Sequence, residues 1–228
     1  EPPNGWVVQP VYLDGKPWNW KYRHALAFNK EKVSKNSITD EVIEPTSGDI
    51  FVGLDLVSQV CDPIDEGFFK RWHERGVRIH FIIYDILPIL FPQWWPEGGA
   101  DTHKRWLRCI SKIADSVISI SKSVSEEVQQ YLEANPVTRK KPLKFSWFHL
   151  GADVENSLPS KGKPANATQV LSSLANVNVF LMVGTIEPRK GQSTIVAAFE
   201  ELWSNGEEAL LVIVGRKGWL VENFVKKI

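Results

Sequence analysis

Two adjacent cations, Arg189 and Lys190, lie in a short polar loop that Gly184 opens and Gly191 closes. A guanidinium binds phosphate oxygens through two parallel hydrogen bonds, and an ammonium adds a compact point charge. A segment of helical period follows Gly191, and the free N–H groups of a first helical turn also attract anions. The loop is therefore a candidate site for a phosphate or diphosphate group. The alternative is a solvated pair of cations on a surface loop, which binds no ligand and contributes little to stability.

The residues around this loop predict a strand, a helix and a second strand. An apolar run at residues 179–183 ends at Gly184, and another at residues 209–214 ends at Gly215. A helix that connects the two runs makes the strands parallel. Ligands of open α/β sheets bind beyond the carboxyl ends of the strands, where both glycines fall, and this position favours the phosphate interpretation. The predicted inward face of the helix consists of Ile195, Ala198, Phe199, Leu202 and Trp203.

Two segments carry a resemblance to a known family. Residues 184–191 (GTIEPRKG) and 211–219 (LVIVGRKGW) resemble the nucleotide-sugar half of the retaining glycosyltransferases of family 4, which have the GT-B fold. The EPRKG form is similar to that of polysaccharide and O-antigen mannosyltransferases. The resemblance implies transfer of a hexose, with mannose as the candidate, from a GDP- or UDP-linked donor to a glycan or lipid-linked acceptor. It also implies retention of configuration and a role in cell-surface polysaccharide or lipopolysaccharide synthesis.

The resemblance also assigns the donor-binding residues. No DxD-type carboxylate pair stands beside the loop and Glu187 is single, so these residues predict a site that needs no metal. Fixed cations and helix N–H groups then stabilise the leaving phosphates, and no cofactor is expected beyond the nucleotide sugar itself. The donor diphosphate is assigned to Gly184, Thr185, Arg189, Lys190 and Gly191, and the nucleotide to Gly215 and Arg216.

Asp85 is the candidate catalytic residue. In the resembled family the donor phosphate is thought to take the acceptor proton, so that Asp85 is expected to orient the acceptor. Its context, Tyr-Asp-Ile-Leu-Pro, is similar to a segment that often reads HD-x-x-P, and Tyr84 stands where the histidine would be. The alternative for Asp85 is a simple cap at a strand end.

The segment at residues 85–99 is longer than a simple connection needs, and it holds three prolines and two adjacent tryptophans. One interpretation is a functional loop, and the other is a rigid surface bulge that the prolines hold in place. The resemblance favours the first interpretation, with the loop at the interdomain cleft. It implies an acceptor-side role for Tyr84, Trp94 and Trp95.

Alternating strands and helices predict an α/β protein with two Rossmann-like, doubly wound domains. The acceptor-side domain is predicted at residues 1–151, a linker rich in Ser, Pro, Lys and Asn at 152–176, and the start of the nucleotide-sugar domain at 177–228. The family's first glycine-rich loop and its E-x7-E motif are not found, so we expect a fragment of a longer polypeptide.

The remaining elements follow from periodicity and turn residues. Asp101 is the predicted cap of one helix, and Ser123 and Glu126 form the predicted capping box of the next. The aromatic run from Trp18 to His24 suits a sugar-stacking surface or the edge of the core, and the scatter of ten tryptophans favours the core. Strands are predicted at residues 6–12, 41–44, 49–54, 77–84, 116–121 and 143–150, and helices that begin near residues 64, 101, 123 and 168.

Composition narrows the function classes. The 228 residues contain 27 basic and 27 acidic side chains, so the chain has no net positive charge that would attract a nucleic acid. Two distant cysteines, Cys61 and Cys109, indicate neither a disulfide scaffold nor a zinc site and favour a cytoplasmic location. Peripheral association with the inner face of the membrane stays open. Besides a glycosyltransferase, two alternatives remain: a nucleotide-sugar epimerase of the same architecture, and a non-catalytic sugar-binding or scaffold module.

Overall fold

A computed structural model of the protein describes residues 4–25, 41–152 and 163–228. The chain divides into two compact units. The first consists of Glu1–Ile86 and Asp101–Leu150, and the second of Leu87–Ala100 and Gly151–Ile228. The segment Leu87–Ala100, called the Trp94–Trp95 loop below, therefore belongs to the second unit, whereas the sequence places it in the first domain. The predicted linker and domain boundaries stay a prediction.

The described residues form short strands and helices that alternate for most of the chain. The strands are β1 (Val11–Asp14), β2 (Lys21–His24), β3 (Ile50–Gly53), β4 (Arg78–Ile83), β5 (Ser116–Ser119), β6 (Lys144–Trp147), β7 (Asn178–Val183) and β8 (Ala209–Val214). The helices are α1 (Cys61–Asp65), α2 (Phe68–Glu74), α3 (Leu87–Leu90), α4 (Gly99–Ile113), α5 (Lys122–Ala134), α6 (Ala167–Leu174), α7 (Gln192–Ser204) and α8 (Glu222–Lys227).

A four-stranded parallel sheet organises the first unit, with the strand order β3-β4-β5-β6. Phe51 pairs with Ile79 across the first two strands, and Phe81 pairs with Val117 across the next two. Helices connect each strand to the next one, as parallel pairing requires. The predicted α/β class with a Rossmann-like sheet is confirmed. An antiparallel hairpin, β1-β2, stands apart as a separate two-stranded sheet.

The core of the first unit combines this sheet with a cluster of aromatic rings. Ile79, Phe81 and Ile83 of β4 are buried. Tyr22 of the hairpin is also buried, which confirms the core interpretation for that residue, whereas Trp18 is 85% exposed and does not belong to the core. The rings that pack around Phe69 with centroids 5.4 to 6.4 Å away belong to Tyr22, Phe51, Phe68, Trp72 and Phe81.

Two predicted strands are wrong for most of their length. Residues 6–10 have no strand partner among the described residues, and Val7 is 80% exposed, so pairing starts only at Val11. Residues 41–44 contribute a single bridge, from Val42 to Arg23. Apolar residues with turn signals predict strands, but a strand forms only where a neighbouring strand satisfies its backbone groups.

The helix starts also differ from the prediction. Ser121 caps α5, because its side chain accepts a hydrogen bond from Val124 N at 3.2 Å, so the capping box at Ser123 is wrong. Asp101 lies inside α4, which begins two residues earlier, at Gly99. The helix predicted from residue 64 is divided into α1 and α2, and Gly67 between them has a left-handed φ of 76°.

The second unit contains the strand, helix and strand that the sequence predicts. β7 and β8 pair in parallel along their whole length, and α7 connects them. The predicted inward face is only partly right, because Phe199 is buried while Ile195 and Leu202 are each 38% exposed. The ring of Phe199 packs against Phe180 of β7 at 5.2 Å and sets the rotation of the helix. The buried residues of α7 are therefore Gln192, Val196 and Phe199.

The short helix α6 confirms the helix predicted near residue 168, and none of its residues is buried. Across the described ranges, every helix is too short or too polar to cross a lipid bilayer.

Candidate functional site

The candidate site starts where β7 and β8 end. Because the strands are parallel, the residues that follow them emerge at the same edge of the sheet. Gly184 N donates to the carbonyl oxygen of Val214 at 2.9 Å, and Ile186 N donates to that of Arg216 at 2.9 Å. Gly218 N returns a third bond of 2.9 Å to Ile186. The two loops, residues 184–191 and 215–219, therefore form one hydrogen-bonded surface.

Glycine is required where these loops approach each other most closely. A Cβ atom on Gly215 would lie 1.8 Å from the carbonyl oxygen of Gly184, and one on Gly218 would lie 2.7 Å from that of Ile186. Both distances are far below van der Waals contact with the backbone. The two glycines allow the close approach that places both loops at one site.

The first loop leads directly into the start of α7. Pro188–Lys190 form one turn of 3-10 helix, and Gly191 then takes a left-handed φ of 73° as the N-cap. No side chain caps α7, so N–H groups of its first turn remain available to a ligand. The buried side chain of Gln192 donates to the carbonyl oxygen of Thr185 at 3.0 Å and fixes the loop to the helix start. This geometry is typical of an anion site.

Arg189 is held in place by its surroundings. Its Nη2 atom lies 2.7 Å from Oε1 of Glu187, a carboxylate that is only 2% exposed. Its guanidinium also lies over the ring of Trp95, 5.6 Å from the centroid. The sequence shows Glu187 only as a single carboxylate and contains no signal for this pairing. Binding of a diphosphate by Arg189 stays a prediction.

Lys190 and Arg216 contrast with Arg189. Both side chains are exposed, and neither forms an ion pair or hydrogen bond with the described part of the chain. They belong to the two loops that the strand ends bring together. These two residues therefore supply the cations that a phosphate group could bind without breaking an existing contact.

The Trp94–Trp95 loop contacts the second strand-end loop. The ring of Trp95 stacks on Trp219 at a centroid distance of 5.4 Å and an angle of 28°. Trp219 Nε1 donates to the carbonyl oxygen of Trp94 at 2.8 Å, while the ring of Trp94 stacks on Phe91 at 4.4 Å. The acceptor-side role of both tryptophans stays a prediction. The sequence shows no signal for the contact with Trp219.

Asp85 and Tyr84 lie just past the carboxyl end of β4, in the first unit. Tyr84 is 46% exposed, and Asp85 is half-buried. The imidazole of His103, on α4, is 8% exposed and forms a hydrogen bond with the backbone of Asp85. Burial lowers the pKa of His103, which favours the neutral ring. Asp85 and His103 are far apart in sequence and no motif links them, so the sequence gives no signal for this imidazole.

Two cavities lie away from the strand-end loops, and no candidate metal cluster is found in the described part of the chain. Within the described residues, no group of three His, Cys, Asp or Glu side chains could hold a metal ion. A cavity of about 290 Å³ lies at the opposite end of the second sheet, beside Asn178 and Ala209. Another, of about 460 Å³, lies in the first unit beside Arg108 and Tyr131. The candidate site therefore consists of the two loops and the start of α7.

Two known proteins are similar to most of the chain. The chain is 37% identical over 213 residues to a serotype-specific mannosyltransferase WbdA of Escherichia coli, a match that covers 91% of this chain and 26% of that protein. A second Escherichia coli protein of the same name is 36% identical over 209 residues, with coverages of 91% and 26%. The chain thus spans about a quarter of the length of the curated relatives it matches.

No solved structure matches the chain significantly. The family description "Glycosyl transferases group 1" matches residues 166–227, which contain α6, both strands of the second sheet and α7. The loop with Lys190 and the loop with Arg216 both lie within that range. Over these residues the chain is similar to the group 1 glycosyl transferases.

Proposed function

We propose that this chain is part of a glycosyltransferase that moves a hexose from a nucleotide-diphosphate sugar to a glycan or lipid-linked acceptor in cell-surface polysaccharide synthesis. The matched family and the relatives support this reaction. The relatives are named as mannosyltransferases, so mannose is the first candidate for the hexose and GDP-mannose for the donor, with UDP-linked sugars as the alternative.

One observation carries the proposal. Lys190, unpaired among the described residues, stands immediately before the uncapped start of α7, beyond the carboxyl ends of two parallel strands. A cation and a set of free N–H groups at one sheet edge form a binding site for phosphate oxygens. Arg216 adds a second exposed cation from the neighbouring loop.

The same arrangement serves the chemistry of transfer. When the bond between the sugar and the diphosphate breaks, negative charge grows on the leaving phosphate oxygens. Lys190, Arg216 and the N–H groups of the first turn of α7 stabilise that charge from fixed positions. Arg189 adds a third positive charge, in the position that its ion pair with Glu187 fixes.

Asp85 is assigned to the acceptor. In this scheme the acceptor hydroxyl oxygen forms a bond to the anomeric carbon while the bond to the donor phosphate breaks, with retention. The acceptor proton passes to the donor phosphate, so that Asp85 only orients the hydroxyl group. The position of Asp85 just past the carboxyl end of β4 supports this role.

A divalent cation is not part of the proposal, because side-chain cations and helix N–H groups supply the positive charge at the site. We expect binding of GDP to be the same with and without EDTA. Loss of binding in EDTA, restored by Mg²⁺ or Mn²⁺, would show that a metal takes part. A cytoplasmic location is also proposed, since two cysteines are too few for the disulfide scaffold that is typical of secreted domains.

Incubation of the full polypeptide with GDP-mannose and a mannan-type oligosaccharide acceptor tests the reaction. The expected products are GDP and an acceptor that is heavier by one hexose, as measured by mass spectrometry. A product that keeps its nucleotide would indicate an epimerase. Binding of the oligosaccharide without any affinity for the nucleotide would indicate a sugar-binding module.

A further inference from the structure

We propose that Trp95 is a positioning residue of the donor site: it holds Arg189, and through it the loop at residues 184–191, in the conformation that binds the donor. The proposal rests on the proposed function, because it concerns the same loop. It differs from the role that the sequence suggests for Trp95, which is direct contact with the acceptor.

The guanidinium of Arg189 is held from two directions. Glu187 binds one of its nitrogens at 2.7 Å, and the face of Trp95 lies 5.6 Å from the guanidinium carbon. A cation at this distance from an indole is attracted by the negative face of the ring. Without the ring, a single ion pair would hold a long side chain that has several rotatable bonds.

Trp95 is itself fixed by the second strand-end loop. Its ring stacks on Trp219 at 5.4 Å, and Trp219 Nε1 donates to the carbonyl oxygen of Trp94 at 2.8 Å. Trp219 directly follows Gly218, whose N–H binds Ile186 in the first loop. Three separate segments of the second unit are thus connected through Trp95.

Three polar atoms of this cluster are buried without a hydrogen-bond partner among the described residues. They are Oε2 of Glu187, Nε of Arg189 and Nε1 of Trp95. Buried polar groups normally have partners, so Arg189 depends on the contacts that remain, which are its ion pair with Glu187 and the face of Trp95.

Calorimetric titration of the protein with GDP and GDP-mannose tests the proposal. We expect Trp95→Ala to weaken binding of both about tenfold, which corresponds to about 1.4 kcal/mol. Trp95→Phe keeps an aromatic face for the guanidinium and should bind within about twofold of wild type. Trp94→Ala is the matched control, because Trp94 contributes only its backbone carbonyl to Trp219, and it should also bind as wild type does.

Two readouts separate positioning from a general structural role. In steady-state assays the KM for the donor should rise in Trp95→Ala, while the KM for the acceptor stays unchanged. Stacked indoles couple in circular dichroism, so the far-ultraviolet signal of the Trp95–Trp219 pair should disappear in Trp95→Ala and remain in Trp94→Ala. Trp95→Leu removes the ring but keeps an apolar side chain, so it serves as a control for misfolding caused by the cavity in Trp95→Ala. It should also weaken GDP binding.

Each opposite outcome has a distinct meaning. Wild-type affinity for GDP in both Trp95→Ala and Trp95→Leu overturns the positioning role and leaves the proposed function intact. A rise in the acceptor KM alone means that Trp95 contacts the acceptor, which also overturns it. A wild-type protein that binds neither GDP nor UDP contradicts the proposed function itself, while the dichroism signal still reports whether the two rings stack.

Discussion

The two parallel sheets of this protein are built from similar apolar strands but differ in how well those strands are covered. Along β4, Ile79, Phe81 and Ile83 are at most 2% exposed. Along β7, Leu181 is 64% exposed and Val183 is 71% exposed. Other elements normally cover both faces of a parallel sheet. Among the described residues, β4 of the first sheet is buried in this way, whereas β7 of the second sheet is not.

This difference shows what an apolar run in a sequence does and does not predict. It predicts a strand in both units, because the backbone pairs in either case. Burial depends on which elements pack against the strand, and in the second unit the contact between Phe180 and Phe199 is the main aromatic one on the sheet. The stability of the first unit therefore comes from its core, and that of β7-β8 depends more on backbone pairing and α7.

The contrast predicts its largest effect in the aromatic cluster. Phe69→Ala removes a fully buried ring and should lower the free energy of unfolding by about 3–5 kcal/mol. Leu181→Ala, in the exposed strand, should cost less than about 1 kcal/mol. Urea denaturation monitored by near-ultraviolet circular dichroism measures both. Equal costs for the two substitutions would contradict the difference in burial.

In the second sheet the sensitive position is a glycine instead of an apolar residue. Gly215→Ala places a methyl group against the Gly184 carbonyl oxygen and should destabilise the second unit by about 1–3 kcal/mol. Gly151→Ala is the control, because its Cβ atom would meet nothing within 4 Å. Thermal unfolding of the two variants compares them, and a neutral Gly215→Ala would mean that the loops separate easily.

Near neutral pH, the pH dependence of stability should come from buried histidines of the first unit. Burial lowers the pKa of His103 below its ordinary value of 6.5, so that the folded protein resists protonation of this ring more than the unfolded chain does. The stabilisation is present above pH 6.5 and is lost as the pH falls, by at most about 1.4 kcal/mol per pH unit for one proton.

Urea midpoints at pH 7.5 and pH 5.5 measure this loss. In His103→Gln the drop between the two pH values should be smaller than in wild type. Some of it should remain, because burial also lowers the pKa of His80. An unchanged drop in the variant would mean that the imidazole of His103 is not responsible.

The smallest expected effect concerns the start of α5. Ser121→Ala removes the side chain that accepts from Val124 N and should cost about 1 kcal/mol, the usual contribution of an N-cap. Ser123→Ala, two residues later, should cost less than about 0.5 kcal/mol. If a denaturant titration showed a larger loss of stability for Ser123→Ala than for Ser121→Ala, the capping box that the sequence predicts would be supported instead.

Local signals in the sequence predicted the parallel strands, the glycines at their ends and the cations of the loops. Gly184, Gly191 and Lys190 are adjacent in sequence to the elements that position them, so their place follows from strand and helix periodicity. The rotation of α7 was predicted incorrectly, because it depends on the contact of Phe199 with β7, and no periodicity within the helix decides between Ile195 and Val196.

Contacts between distant segments could not be predicted in this way. The position of Trp95 over Arg189, like that of His103 beside Asp85, depends on how loops and helices pack. Single residues of these types occur throughout the sequence without any pattern that marks them. The paired state of Arg189 therefore became apparent only from the structure.

The most direct test of the central claim is calorimetric titration of wild type, Lys190→Ala and Lys226→Ala with GDP-mannose. Lys226 is an exposed lysine on α8, outside the strand-end loops, and serves as the control for the loss of one positive charge. We predict that Lys190→Ala weakens binding by about 1.5–3 kcal/mol, the usual contribution of a hydrogen bond to a charged group, and that Lys226→Ala binds as wild type does. Unchanged affinity in Lys190→Ala would contradict the assignment of the donor diphosphate to these loops.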